Sequence, residues 1–347
     1  MFKTIKKFLP ILLSLLFVIA CGGYDGPQST FDTHGPVAKE QADLFYLILW
    51  AGMVVLVAVE LAIVYIYIKY RRKKNSEKIP SQIHGNTRLE IIWTVLPVIF
   101  LAIVSVPVLS AIWYVGTPPE NPDVVVNVEG HQYWFEFEYP DLDVVTANEL
   151  HIPVGKTILI NLDSKDVLHS FWIPKIAGKT DIIPNQGNYM WIQGDDVGMY
   201  YGQCAEFCGE SHALMRFRVI VETDEDFRAW ISQQKSEAFV PNDPLEKSGY
   251  DIFMSSKAGC GGCHMIQGSK KAKGKIGPNL THFGSRQHMA AGILVNNQVN
   301  LRNWIRNPDM IKPGNIMSGQ AAVYMDPNKS LTESEVIALA SYLQSLK

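Results

Sequence analysis

Cysteine is scarce in this chain, five in 347 residues, and none is left over for a structural disulfide framework. Cys21 stands alone near the N-terminus, Cys204 and Cys208 are four apart, and Cys260 and Cys263 are three apart. A small secreted scaffold stapled by disulfides is thereby excluded. A surplus of charge is also missing. With 31 basic residues against 34 acidic ones, nothing favours nucleic acid as a partner. No internal repeat is visible, and the length predicts roughly two or three domains rather than one core.

Apolar residues make up 47% of the chain and crowd into its first third. The N-terminus places Lys3, Lys6 and Lys7 ahead of an apolar run over residues 8–20, which is too short to span a bilayer and has the layout of a secretory signal. Its "VIAC" ending resembles a bacterial lipobox, which implies cleavage before Cys21 and a lipid on its thiol; a plain signal peptide is the other reading. Either one starts the following segment outside the cytoplasm.

Residues 44–68 are apolar except for Glu60, and residues 91–115 carry no charge, so each run is long enough to cross a membrane. The "KYRRKK" cluster between them puts the connecting loop in the cytoplasm and both outer ends of the hairpin outside. Trp50, Trp93, Trp113 and Tyr114 lie near the ends of the spans, where interfacial aromatics belong. After "GTPPENP" the pattern changes to short alternating runs at residues 124–128, 133–139, 157–162, 169–173 and 216–222, separated by Gly and Pro. These predict an antiparallel β-sandwich. The polar stretch 232–244 reads as a linker, and from residue 245 the pattern is helical, ending in a helix capped by Thr332 and Glu335 with Val336, Leu339, Ala340, Leu343 and Leu346 on one face.

Two motifs carry the chemistry. "CGGCH" places Cys260 and Cys263 to form thioethers with haem vinyl groups and His264 to ligate the iron. A thioredoxin-like pair would lack the strand–helix context and would not need the histidine. His282, His288, Met289, Met310, Met317 and Met325 are available as the second axial ligand, and a methionine would suit the haem to relaying electrons. In "GQCAEFCGESHALM", Cys204, Cys208, His212 and Met215 supply soft-to-borderline donors suited to copper. The thioether argues against zinc. A further imidazole is needed, and His169 in "DVLHSFWIP" is its natural source.

"DVLHSFWIPKIAGKTDIIP" together with "YYGQCAEFCGESHALMRF" resembles subunit II of haem–copper cytochrome c oxidases, and the last hundred residues resemble the fused class I cytochrome c of bacterial members. The resemblance covers nearly the whole chain after the signal. It implies a multidomain architecture: signal peptide 1–20, lipidated segment 21–43, two-helix transmembrane hairpin 44–115, cupredoxin copper domain 120–231, linker 232–244 and an all-α cytochrome c domain 245–347. It further implies a dinuclear copper (CuA) centre held by His169, Cys204, Cys208, His212, Met215 and the backbone carbonyl of Glu206, with the Glu206 side chain reaching a magnesium shared with subunit I. "NPDMIKPGNIMSG" resembles the segment bearing the distal methionine and selects Met317, although Ser318 stands where a proline is common.

Glu90 matches a family glutamate near the cytoplasmic mouth of a proton pathway; the plain alternative is an acid favoured at a helix N-terminus. Glu60 matches no family role, and contact with a polar group of a partner helix is the expectation. Where the family has "GHQWYW" this chain has "GHQYWF": Tyr133 replaces the tryptophan associated with electron uptake. Trp134, one position on, is expected on the opposite face of a strand as a core residue.

The oxygen-reducing subunit would need histidines in its membrane helices, and neither span has one. The expected function is therefore the electron inlet of a bacterial plasma-membrane oxidase. Electrons from a cytochrome c or quinol-oxidising complex would pass through haem c and copper to subunit I. A nitric oxide reductase built on the same copper centre, and a free-standing carrier or copper-delivery protein, are the alternatives.

Overall fold

The computed structural model describes residues 26–71 and 84–347. The leader, Cys21 and most of the basic loop lie outside the described residues.

Helix α1 spans Pro36–Tyr70 and α2 spans Thr87–Gly116. The first begins well ahead of the apolar run at residue 44, because Pro36 occupies a first-turn position that needs no amide hydrogen. Its opening turns also have somewhere to dock. Val37 and Ala38 are buried against the extramembrane domain, and Ala38 N donates to Ile176 O at 3.2 Å. Beyond that contact the apolar side chains of both helices face outward, with 0% and 6% of their most apolar windows buried. Such a surface is stable only against lipid or other apolar helices. Pro97 and Pro107 lie inside α2, which a membrane span tolerates when neighbours re-satisfy the freed carbonyls. Tyr114, near its end, meets Trp191 of the next domain edge-on at 5.4 Å.

That domain is a sandwich of two five-stranded sheets. One sheet has the order β3-β2-β1-β5-β8 and comprises Val124–His131 (β1), Trp134–Tyr139 (β2), Val144–Ala147 (β3), Ile158–Ser164 (β5) and Asn188–Ile192 (β8). The other, β4-β10-β9-β6-β7, comprises Glu149–Pro153 (β4), His169–Trp172 (β6), Lys179–Ile182 (β7), Gly198–Cys204 (β9) and Arg216–Glu222 (β10). Most neighbours are antiparallel, with one parallel pair in each sheet, β1 with β5 and β4 with β10. The alternation read from sequence is the inward face: Val126, Val128, Phe135, Phe137, Ile158, Ile160 and Leu162 meet Phe171, Phe217 and Val219 between the sheets. Phe171 and Phe217 stack at 4.4 Å, and Phe135 meets both edge-on. Burying each such ring contributes roughly 1.5–3 kcal/mol, which fixes the frame from which the copper-motif loops project.

Helix α3, Asp224–Gln234, extends into the stretch expected as linker, capped by Thr223, whose hydroxyl accepts from Asp226 N. The C-terminal domain follows with α4 (Pro244–Phe253), α5 (Cys260–Cys263), α6 (Gln298–Arg306), α7 (Pro308–Ile311), α8 (Ile316–Gln320), α9 (Ala322–Met325) and α10 (Glu333–Ser345). Thr332 and Glu335 form the expected capping box on α10. Its apolar face crosses α4 closely: a Cβ on Gly249 would lie 2.1 Å from Ala338 O, so only glycine fits there.

Candidate metal centre and haem cleft

Five side chains of the copper motif converge at one end of the sandwich. Cys204 closes β9, Cys208 follows on the loop, His212 opens a short 3-10 turn, and Met215 precedes β10. His169 enters from the adjacent strand β6 and is fully buried. The Cys204 and Cys208 sulfurs stand 3.8 Å apart, unbonded. His169 Nδ1 is 3.9 Å from Cys204 Sγ, His212 Nδ1 is 3.7 Å from Cys208 Sγ, Met215 Sδ is 3.8 Å from Cys208 Sγ, and Glu206 O is 3.2 Å from Cys204 Sγ. Donor atoms of His169, Cys204 and Cys208 all lie within 4.8 Å of one another.

The electrostatics suit a cation. The Cys208 thiol beside Cys204, helped by His169, holds the Cys204 thiol down at about 3, despite burial. The hydrogen bond between Cys208 and Cys204, then burial and the charge on Cys204, oppose loss of the remaining proton from Cys208, so its pKa is pushed up. A metal that replaces that proton removes the repulsion. Burial alone would lower the His169 pKa, but the Asp166 carboxylate and the Cys204 sulfur outweigh it and raise the value. Asp166 Oδ1 accepts from His169 Nε2 at 2.8 Å, which aims Nδ1 at the sulfurs.

The second motif opens the C-terminal domain. Cys260 and Cys263 lie on α5 with free thiols at the edge of a cleft of about 320 Å³. His264 follows them; its Nδ1 donates to Pro278 O at 2.9 Å, which leaves the Nε2 lone pair available to a metal. Burial lowers its pKa, which favours the neutral imidazole a metal needs. A Cβ on Gly277 would lie 2.5 Å from His264 Cε1, so glycine makes room for the ring. Of the six candidate partners, His288, Met289 and Met317 line the cleft. Met310 and Met325 are 83% and 63% exposed, and His282 is buried with Nε2 facing Ser236 O. Glu149 accepts from the His288 backbone amide and its Oε1 stands 3.6 Å from His288 Nδ1, Met289 belongs to the apolar core, and Met317 lies on α8.

Matches to known families agree with this layout. Residues 28–111 match the transmembrane domain of cytochrome c oxidase subunit II, residues 143–223 its periplasmic domain, and residues 247–347 cytochrome c. Cytochrome c oxidase subunit 2 of Alkalihalophilus pseudofirmus is 37% identical over 352 residues, covering 100% of this chain and 98% of that relative. The chain belongs to the cytochrome c oxidase subunit II family. The Bacillus subtilis subunit 2 is 36% identical over 361 residues, covering 99% of both. The crystal structure of the periplasmic domain of subunit II from Bradyrhizobium japonicum cytochrome oxidase aligns at 30% identity over 34% of this chain and 97% of that one, with a TM-score of 0.33.

Tyr133 and Trp134 sit differently from expectation, and the acids singled out from the sequence are also placed. Tyr133 lies in the turn between β1 and β2, not on a strand, so the alternation argument does not apply to it. Trp134 is buried, yet it does not join the sandwich core. It stacks on His131 at 4.3 Å, contacts Ala291 of the cytochrome c domain and lines the haem cleft, as Tyr133 also does. Glu90 Oε1 accepts from Asn86 N at 3.3 Å and so caps its own helix. Glu206 is partly exposed, its carboxylate 3.8 Å from Lys179. Glu60 is exposed on α1. Asp166 was missed by the sequence reading. Its signal was available as an acid three residues before His169, the spacing of a carboxylate that orients a ligating imidazole.

Proposed function

We propose that this subunit is the electron inlet of its oxidase, taking electrons at a covalent haem c and passing them through a dinuclear copper centre to subunit I. The observation that carries the reading is the convergence of Cys204, Cys208, His169, His212 and Met215 at one end of the sandwich, with the cleft of a CxxCH domain beside it. When bound, the haem and the copper pair would each take up and give back one electron. The chain's own residues do the rest. Cys204 and Cys208 would hold the copper through their sulfurs, with His169 and His212 as the imidazole donors and Met215 and the Glu206 carbonyl completing the set.

Asp166 and the Pro278 carbonyl keep His169 and His264 in the tautomers that present a lone pair to metal. Rigid burial of the ligands, with His169 and Met215 both 0% exposed, keeps them nearly still as charge changes. The partly exposed Glu206 carboxylate would meet a magnesium ion at the partner surface. Phe207, 76% exposed on the same loop, supports that surface as the contact with subunit I. A lipid on Cys21 belongs to the same reading and would add a second hold on the membrane. Metal and haem analysis of the purified extracytoplasmic part tests it: about two copper ions and one covalent haem per chain are expected, and zinc in place of copper would overturn it.

A further inference from the structure

We propose that Ser211 and Lys312 are positioning residues that seam the copper loop to the methionine-bearing segment of the cytochrome c domain and so fix the gap that electrons cross. The inference rests on the copper and haem reading above. Ser211, fully buried and next to His212, donates through Oγ to Pro313 O at 2.6 Å. Lys312, 3% exposed, donates through Nζ to the backbone carbonyl of Tyr133. The Tyr133 hydroxyl in turn accepts from Glu210 N at 3.0 Å, and Gln132 Nε2 donates to Cys208 O at 2.7 Å. On the haem side, Asn315 Nδ2 donates to Lys312 O at 2.7 Å, and its Oδ1 accepts from Ser318 N, capping the helix that carries Met317. A short run of buried and partly buried hydrogen bonds thus reaches from the backbone of Cys208 to the cap of the Met317 helix.

Ordinary domain packing does not account for this choice of residues. A buried lysine amine is costly unless it is well partnered, and apolar side chains would hold two surfaces together at lower cost. What Lys312 adds is register, since a directional bond to one carbonyl fixes where the Met317 segment stands. The rest of the interface is anchored separately. Arg218 donates to Gly292 O at 2.6 Å and Glu149 accepts from His288 N at 2.8 Å, so loss of one seam contact leaves the domains together. With haem and copper bound, the seam would hold the two sides at a fixed separation for the passage of one electron, with no bond or proton changing.

The test uses Ser211→Ala and Lys312→Met in the haem- and copper-loaded assembly. Hydrogen exchange is followed in residues 208–212 and 312–317, and the rate of electron equilibration between the two centres is followed after rapid reduction. Each variant should raise exchange in both segments by roughly tenfold, the effect of losing one buried hydrogen bond. Each should also slow equilibration while both midpoint potentials stay at wild-type values. Exchange that rises only in the mutated segment or not at all, a wild-type rate, or a shifted potential in either variant would each overturn the proposal. A wild-type chain that binds no copper would instead remove the underlying reading, and the exchange measurement would still report on the seam.

Discussion

Cys204 Sγ and Cys208 Sγ stand 3.8 Å apart, nearly twice the roughly 2.05 Å of a disulfide, with a histidine nitrogen facing each sulfur. Two thiols held at that separation, in a domain that faces an oxidising compartment, are kept apart by the strand end and the loop that carry them. The arrangement leaves both sulfurs able to turn toward a common pair of ions.

Because Asp166 fixes His169 through Nε2, Asp166→Asn should weaken copper binding while leaving every ligand in place. Loss of such an outer partner typically costs 10–100-fold in metal affinity. Copper titration of the metal-free variant monitored by absorbance checks this, and wild-type affinity would show that Asp166 does not orient the ring.

Met317→Ala should abolish the absorption of a methionine-ligated low-spin haem, whereas Met310→Ala, at an exposed position, should leave it unchanged. If the spectrum survives in Met317→Ala, His288 or Met289 in the same cleft becomes the ligand.

Glu129 and Glu136 face each other directly across β1 and β2. Burial, then Glu129 and Glu138, raise the Glu136 pKa above its reference of 4.5. A raised value means the folded state favours the proton, so this contribution to stability is full below the unfolded pKa and is lost as pH rises through the folded one. Glu136→Gln should therefore be near neutral at about pH 4 and stabilising at pH 7, by about 0.5 kcal/mol for a screened like-charge pair. Thermal unfolding at the two pH values checks the sign; equal shifts at both would contradict it.

Gly277→Ala should disturb haem ligation without unfolding the domain, since the added methyl meets the His264 ring and not the helical core. A rise in the high-spin haem fraction is the expected readout in the absorption spectrum, and an unaltered spectrum would mean that the ring has room to move.

Much of the fold and of the candidate site was legible in the sequence because the candidate donors are largely local. Four of the five copper-motif side chains lie within residues 204–215, and CxxCH is contiguous. The inward faces of β1 and β2 followed from alternation alone. What escaped had three physical causes. Strands β3, β4, β7 and β8 are only four or five residues long, too short for a period to declare itself. Helix α1 starts early because Val37 and Ala38 gain tertiary contacts that local hydropathy does not reveal. Trp134 was assigned to a core from strand alternation, yet it faces another domain, and its placement depends on Ala291, more than a hundred residues away.

X-ray absorption at the copper edge of the purified chain tests the central claim most directly. Sulfur and nitrogen neighbours around copper, together with a second copper as a near scatterer, are the predicted result. A single copper ringed only by nitrogen and oxygen, with Cys204 and Cys208 uninvolved, would contradict it.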